Sequence, residues 1–460
     1  KEKIMRRKLL ILLMGGILSG CVTIENIDKT PFFYNKDLNV NIATYDKVKQ
    51  SNIQNYWNRF NDKELTYFLN EVEKNNPNLS NALVNIKNYE SLLINSQTKL
   101  RPNLFVNGSA SEGKIAGSSN SYQQFGIQSS WEIDFLNKNK DVVNLNKLGL
   151  ENAQNQWYDA KIILLAEAAK NYFSYQYCLK NVEILKNNLK SSVEQEKMTE
   201  LKLEQGFESK VNFMLTQNVT KQAKNQLIAQ QNQCENDLKA LYVLSGIEQE
   251  TLKEIVTVND FNFNNLFIPT TIAGKLLLKR PDIQIAQNNV FINKYDLEKV
   301  KKSKYPTIEI NGSITTSSLN IGNFSEKGSW SIGPLNISFP ILDQKQIDAQ
   351  ENIGKEKIKQ TEIELQYKIR NALREIEVSL NTLETNNKRK ELISDIMASA
   401  KEIYEINLEK YQNGLITLFE LEDYRKSYFN AILSHNQIEV TLINNTIDLF
   451  KVMGGDFKNE

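Results

Sequence analysis

Residues 101–110 read RPNLFVNGSA and residues 305–314 read YPTIEINGSI, so the same pattern occurs twice in the chain. In each stretch a proline stops a helical pattern, favours extended structure before it, and leads into alternating apolar residues. The prolines of the two stretches lie 204 positions apart, and Pro77 and Pro281 share that offset. Because the chain has only 8 prolines, this coincidence indicates a tandem duplication.

Each copy contains the same order of elements. A helical pattern precedes the proline, two strand-like runs flank a loop rich in glycine and serine, and two more helical patterns complete the copy. The first helical patterns are 62–100 and 271–304. The predicted strands are 103–111 and 122–135 in the first copy and 307–318 and 329–341 in the second, with loops at 113–121 and 319–328.

The patterns after the strands predict very long helices. Residues 141–205 and 345–412 contain no proline and run far beyond the globular mean of about 11 residues. Gly206 and Gly414 end these helices, and shorter helices run back from each glycine. The returning helices are 210–244 and 418–452. At 1.5 Å per residue, a long helix reaches about 100 Å and a short one about 53 Å, so each long helix should pack against two short ones stacked end to end.

The N-terminus resembles a bacterial lipoprotein signal. A basic start at residues 6–8 precedes a short apolar run, and the motif LSGC ends at Cys21. This resemblance to a lipobox implies cleavage before Cys21, acylation of that cysteine and, because Val22 rather than aspartate follows, the outer membrane. The alternative is a free or disulfide-bonded cysteine behind an ordinary signal. We therefore predict a signal peptide at 1–20 and a lipidated extension at 21–56.

Composition excludes several classes of function. The 56 basic and 55 acidic side chains give a net charge of +1, without the strongly basic domain typical of nucleic-acid binding. A single histidine, His435, disfavours histidine-based catalysis and metal binding. The chain also lacks a nucleophile elbow and a phosphate-binding glycine loop. We predict no enzyme activity, no cofactor and no metal.

The four strands have the length needed to cross a bilayer when tilted. After Cys21 no apolar stretch approaches the 18 residues or more that indicate a membrane-spanning helix. Four strands cannot close a barrel, because the smallest closed barrels have about eight. Several copies must therefore share one barrel, unless the strands form a small sheet in water. Trp131 and Trp330 flank the strands and fit a membrane interface.

Short motifs in both copies carry a family resemblance. They are Trp57, Phe60, Asp62, Leu65 and NPNL at 76–79 in the first copy, with LLLKRPDI at 276–283, KYQNG at 410–414 and VMGG at 452–455 in the second. Together with the lipobox, the duplication and the long helices, they resemble the TolC-type outer-membrane efflux channel family, in its lipoprotein branch. The resemblance divides the chain into repeats at 57–246 and 271–455, a linker at 247–270 and a tail at 456–460.

This resemblance implies a mainly α fold with a β-barrel part. Three chains, each giving four strands, would build a shared 12-stranded barrel on a long α-helical periplasmic tunnel. The homotrimer would passively conduct substrates from an inner-membrane pump and a periplasmic adaptor across the outer membrane of a Gram-negative bacterium, in an efflux or type I secretion system. The cargo stays open: drugs, metal ions or proteins. The alternative is an adaptor or structural coiled-coil lipoprotein that makes no pore.

The resemblance also assigns residues at the tunnel entrance. Glu420 and Asp423 match paired aspartates that ring the periplasmic entrance, and their i, i+3 spacing puts both on one helix face. Acids at a helix start on a solvated face are the alternative reading. Tyr411 matches a tyrosine that holds the entrance shut, with ordinary packing as its alternative. Its acidic and basic family partners are replaced here by Asn212 and Ile416.

Two turns match the hairpin tips that family adaptors grip. Their residues are Gly206, Phe207 and Ser209 in the first copy and Gly414, Leu415 and Thr417 in the second. These residue types also fit helix C-caps followed by N-caps, and both readings can hold. Cys178 and Cys234 each lie 28 residues from Gly206, at similar heights in a hairpin. The compartment permits a disulfide, but we expect two buried thiols, because a bridge needs opposed faces and close Cα atoms.

Overall fold

The computed structural model describes residues 56–58, 60–115, 118–258, 279–320 and 329–455. The chain divides into units at 1–41 and 42–460, and every described residue belongs to the second unit. The predicted signal peptide, Cys21, nearly all of the lipidated extension, half of the linker and the tail lie outside the described residues.

Helices and strands follow the predicted order in both copies. The first copy contains α1 (Lys63–Asn75), α2 (Pro77–Thr98), β1 (Asn103–Ile115), β2 (Ser118–Glu132), α3 (Lys138–Glu204) and α4 (Lys210–Ser245). The second contains α6 (Pro281–Lys302), β3 (Thr307–Asn320), β4 (Ser329–Ser338), α7 (Gln344–Gln412) and α8 (Leu418–Val452). A short helix that the sequence analysis missed, α5 (Gln249–Ile255), lies between the copies.

The first helical pattern is two helices rather than one. Asn76 has φ −74° and ψ 123°, an extended conformation that breaks the predicted helix at 62–100. The cause is Pro77, which disfavours helical geometry in the residue before it but suits the first position of a new helix. The side chain of Asn76 caps α2 by accepting a hydrogen bond of 3.0 Å from the Asn78 amide. In the second copy, Pro281 likewise begins α6.

The four strands form one antiparallel sheet in the order β1-β2-β3-β4. The pairing of β2 with β3 joins the two copies of the duplicated chain. The predicted loop at 113–121 is wrong in extent, because β1 continues to Ile115, whose partner is Ser118 at the start of β2. Serine and glycine remain in strands here because the ladder is held by backbone groups, and these residues still supply both donor and acceptor.

Each long helix packs along two shorter helices, as predicted. In the first copy, α3 contacts α2 and α4, and in the second copy α7 contacts α6 and α8. The copies meet through α3, which also contacts α6 and α8. The described helices include none that is both long and apolar enough to cross a membrane.

An aromatic core lies where α1, α3 and α8 meet. Phe68, Tyr172 and Phe450 are fully buried there. Tyr56 stacks on Phe450 with ring centroids 4.1 Å apart. The hydroxyl of Tyr56 donates a hydrogen bond of 2.9 Å to the Thr446 carbonyl. The segment from Tyr56 to α1 and the end of α8 therefore pack against the same part of α3.

A disulfide joins α3 to α4. Cys178 and Cys234 are bonded, with Cα atoms 5.5 Å apart. The expectation of two free thiols is therefore wrong. Both side chains are buried and face each other across the hairpin, which the equal distance from Gly206 suggested but did not establish.

Candidate functional site

The sheet has one apolar face. Residues directly opposite each other in neighbouring strands share a face, so the register assigns every side chain to one side. Val106, Ile127 and Ile314 follow one another across β1, β2 and β3. The large apolar residues on this face are Leu104, Val106, Phe125, Ile127, Trp131, Ile308, Ile310, Ile314, Trp330, Ile332, Leu335 and Ile337. Ile332 is 84% exposed and Trp330 75% exposed in the single chain.

The opposite face is polar and hydrogen-bonded across the strands. The Asn107 amide donates to Gln128 at 2.8 Å, and the Ser130 hydroxyl donates to Glu309 at 2.6 Å. Two hydroxyl pairs continue the pattern, Ser313 with Ser331 at 2.8 Å and Thr315 with Ser329 at 3.0 Å. Phe105 and Leu319 are large apolar exceptions on this side. A sheet with an exposed apolar face and a polar, hydrogen-bonded face fits the wall of a membrane barrel, whose lumen side is polar.

A bulge in β4 keeps the apolar face continuous. Ile310 pairs with Leu335, and the following pair is Gly312 with Ile332. One residue of β3 separates these pairs, but two residues of β4 do, so β4 carries one extra residue there. Without the bulge, every side chain beyond it would change faces. The bulge therefore returns Ile332 and Trp330 to the apolar side.

The two helical hairpins end in matching turns at the far end of the long helices. Gly206 has φ +81° and Gly414 has φ +74°, a conformation that glycine adopts without strain. The amides of Phe207 and Leu415 close these turns on carbonyls of the preceding helices, at 2.8 and 2.9 Å. Phe207 is 80% exposed and Leu415 72% exposed. Each tip thus presents one large apolar side chain to its surroundings.

Ser209 and Thr417 cap the returning helices as the sequence predicts. The Asn212 amide donates to the Ser209 hydroxyl at 3.1 Å. In α8, the Glu420 amide donates to the Thr417 hydroxyl at 3.2 Å, and the Glu420 carboxylate accepts from the Thr417 amide at 2.8 Å. This reciprocal pair is a capping box.

Glu420 and Asp423 are both exposed on neighbouring turns of α8. The hydrogen bonds from the Thr417 amide and hydroxyl hold the pKa of the Glu420 carboxyl below its usual value, because they favour the ionised form. Glu420 is therefore a helix-capping residue as well as a candidate entrance acid.

Tyr411 and Asn212 do not form a pair with each other. The Lys202 ammonium lies 5.2 Å from the centroid of the Tyr411 ring, so the tyrosine contacts α3 through its ring. The side-chain amide of Asn212 donates to the Glu208 carboxylate at 2.7 Å, within the same turn. Among the described residues, no hydrogen bond between Asn212 and Tyr411 is seen, which agrees with the loss of the acidic partner at position 212.

The sequence analysis missed a buried ion pair on α8. Arg425 donates to one oxygen of Glu422 at 3.0 and 2.7 Å and reaches Asn188 and Ser192 of α3 at 2.8 and 2.9 Å. We refer to these four residues as the Arg425 cluster. The spacing could have indicated that Arg425 is buried. Arg425 follows Leu421 by four positions, so both residues share the buried face of α8.

Comparisons with known proteins match the chain to one family and to solved structures with the same fold. A family model described as outer membrane efflux protein matches residues 68–247 and 272–455. The cation efflux system protein CusC of Escherichia coli O157:H7 is 22% identical over 407 residues, covering 87% of each chain. The solvent efflux pump outer membrane protein SrpC of Pseudomonas putida is 23% identical over 410 residues, covering 86% of each chain. The CmeC outer membrane channel of Campylobacter jejuni superposes with a TM-score of 0.82 at 24% identity, covering 88% of each chain.

The duplicated helical hairpins and the four-stranded sheet have the fold of the TolC-like outer-membrane channels. The two matched segments cover most of the chain, one in each copy. The chain belongs to the outer membrane efflux protein family.

Proposed function

We propose that three copies of this chain form one channel that conducts substrates passively across the outer membrane. The two-faced sheet carries this proposal. Its apolar face suits lipid, and its polar face suits a water-filled lumen. A coiled-coil spacer without a pore, the alternative, has no use for such a sheet.

The number of strands requires an assembly. β1 and β4 are the edges of the sheet, each paired on one side in the single chain. Unpaired backbone edges are not tolerated in lipid, so β1 of one copy must pair with β4 of the next. Two copies would give eight strands and three would give twelve. The resemblance to TolC-type channels favours three.

The helices continue the channel into the periplasm as a tunnel. An inner-membrane pump supplies the energy for transport, and a periplasmic adaptor connects this pump to the channel. The exposed tips around Phe207 and Leu415 are suited to such an adaptor, because each offers an apolar side chain on a rigid turn. We see no groups arranged for catalysis among the described residues of the sheet and the tips, and we propose a channel without enzyme activity.

The candidate entrance acids set the preference for cations. In a trimer, Glu420 and Asp423 would form two rings of three carboxylates at the narrow end of the tunnel, and rings of this kind attract cations. Tyr411, which lies against Lys202 of α3, would help to hold this entrance shut, as the matching tyrosine of the family does.

We also propose that Cys21 is acylated and anchors each chain in the outer membrane. The cargo is set by the pump rather than by this chain. Relatives of similar identity are named for a cation system and for a solvent pump, so the shared fold does not select one cargo.

Conductance in planar lipid bilayers tests the proposal. Full-length protein extracted from outer membranes should insert and give discrete, cation-preferring current steps. Protein that binds bilayers through its lipid but never gives current steps would support the tethered coiled coil instead.

A further inference from the structure

The turn after β4 leaves apolar side chains uncovered in the single chain. Ile341 is 74% exposed and Leu342 is 92% exposed, and both lie between the end of β4 and the start of α7. With Tyr305, Thr307 and Phe339 they line an open cavity of about 810 Å³ at the end of β4. Because β4 is an edge of the sheet that the described strands form, the chain that pairs with this edge is placed to fill the cavity.

The turn after β2 is the counterpart of this turn in the first half of the duplication. At the offset of 204 that relates the two halves, Ile133 corresponds to Ile337 and Phe135 to Phe339. The strand beside β2 is β3, which begins the second half. The β2–β3 pairing is therefore an internal model for the pairing of β4 with β1 of a neighbouring chain.

Within the chain, the end of α6 covers the turn after β2. Lys302 donates to the Asn137 carbonyl at 3.4 Å and forms an ion pair with Asp141 at the start of α3. The counterpart of α6 in the first half is α2, which leads into β1 at the opposite edge of the sheet from β4. The end of α2 from a neighbouring chain is therefore the element that can cover the turn after β4.

The internal model also gives the register between two chains. The Ile133 amide donates to the Ile308 carbonyl at 2.8 Å, one position beyond the last paired residues of β2 and β3. Applying the offset of 204 to both strands puts Ile337 of one chain opposite Leu104 of the next. Both residues belong to the apolar face, as directly opposed residues must. A shift by one residue would put apolar side chains opposite polar ones along the whole edge.

Two opposite charges come close together in this register. Arg101 is exposed and precedes β1, and Asp343 is exposed and follows β4. Asp343 occupies the N-cap position of α7 but makes no side-chain capping hydrogen bond. Among the described residues of the single chain, no ion pair is seen for Arg101 or Asp343. A cation before one strand and an acid after the other repeats the arrangement of Lys302 with Asp141.

We propose that the turn between α2 and β1 of each chain fills the cavity after β4 of its neighbour, with Arg101 paired to Asp343 across the boundary. This inference rests on the proposed shared barrel. The contact covers Ile341 and Leu342, and the ion pair fixes which residues of the two edge strands lie opposite each other. A guanidinium suits this role because it can bind both oxygens of a carboxylate in one plane.

Cysteine cross-linking of the full-length protein in outer-membrane fractions tests the register. Ser338 should lie opposite Asn103 of the next chain, so Asn103→Cys with Ser338→Cys should form covalent dimers and trimers under a mild oxidant. Asn103→Cys with Asn336→Cys is the matched control. This pair is two residues out of register, with Cα atoms about 7–8 Å apart, and should give no covalent band. Cys178 and Cys234 are already bonded to each other and do not compete.

Exchange of the two charges tests the ion pair. Arg101→Asp and Asp343→Arg each place like charges together at every boundary, so each should lower the temperature at which the oligomer dissociates on gels. The double variant restores opposite charges and should recover the wild-type dissociation temperature. Single variants that dissociate like the wild type, or a double variant without recovery, would overturn the pairing.

Native mass separates this inference from the channel proposal. An oligomer that cross-links through Asn336 but not through Ser338 would overturn the register, and so would an oligomer that cross-links through neither. Native mass of the reduced cysteine variants shows whether they still assemble. If the wild type itself has the mass of one chain, the shared barrel is wrong, and the boundary between chains falls with it.

Discussion

Ile127 of β2 lies directly opposite Ile314 of β3 on the apolar face of the sheet, and their pairing joins the two copies of the duplicated chain. Each copy alone supplies one hairpin, whose two strands bury little. Together they make a continuous surface with one apolar and one polar side. The two copies therefore form a continuous apolar surface only through this pairing of β2 with β3.

The glycine beside this seam should tolerate no side chain. A Cβ on Gly126 would lie 2.8 Å from the Ile314 carbonyl oxygen and 2.5 Å from the Thr315 methyl carbon. Because the carbonyl is backbone, Gly126→Val must push β2 and β3 apart, at a cost of about 1–3 kcal/mol. We expect oligomers that dissociate at lower temperature on gels. Gly113→Val is the control, since nothing lies within 4 Å of its Cβ; equal heat stability of the two variants would contradict this packing.

A charge on the apolar face should block insertion. Ile127→Lys places an ammonium toward lipid, which costs about 2–4 kcal/mol near the bilayer midplane. Gln128→Lys, one residue later, places the same charge toward the lumen and should insert normally. Protease resistance in outer-membrane fractions measures the difference. If both variants insert equally well, the assignment of the two faces is wrong.

Neutral entrance residues should lower cation preference. Glu420→Gln with Asp423→Asn removes both proposed rings, so reversal potentials in a salt gradient should shift toward zero and block by multivalent cations should weaken. Glu391→Gln, an exposed substitution far from the tip on α7, should change neither. Unaltered selectivity in the double variant would remove these residues from the entrance.

The capping box adds a pH dependence. The folded-state pKa of Glu420 is lowered by the Thr417 hydrogen bonds. A lowered pKa contributes stability that is present above the unfolded value, 4.5, and is lost as pH falls through the folded value. The Glu420 charge and its share of cation preference should therefore persist below pH 4.5 in Asp423→Asn channels. Thr417→Val removes the hydroxyl contact and should move this loss of preference to higher pH; an unchanged profile would contradict the capping role.

The disulfide should stabilise the first hairpin. It closes a loop with a sequence separation of 56, and the loop-closure model assigns such a bridge about 4 kcal/mol. Cys178→Ser with Cys234→Ser should melt at a lower temperature. Alkylation of the unfolded protein, with and without prior reduction, tests the bond itself by mass. Modification of both cysteines without reduction would show free thiols in the protein.

The repeated proline and Asn-Gly-Ser pattern was enough to predict the four strands, the long helices and their order, though not α5, because helix and strand periods and proline stops are local signals. The break at Asn76 was also local, since Pro77 marks it, but it was overlooked. The pairing of β2 with β3 and the partners of Arg425 and Cys178 depend on residues far apart in the chain. Sequence spacing can show that two residues lie at the same level along packed helices. Only the packing of the helices shows that their side chains are in contact.

The native mass of the full-length protein in mild detergent, with bound lipid and detergent subtracted, tests the central claim most directly. The account predicts a particle of three chains, which completes a 12-stranded barrel. A monomer that stays soluble without detergent once its lipid is removed would contradict it, because the apolar face of the sheet would then be stable in water.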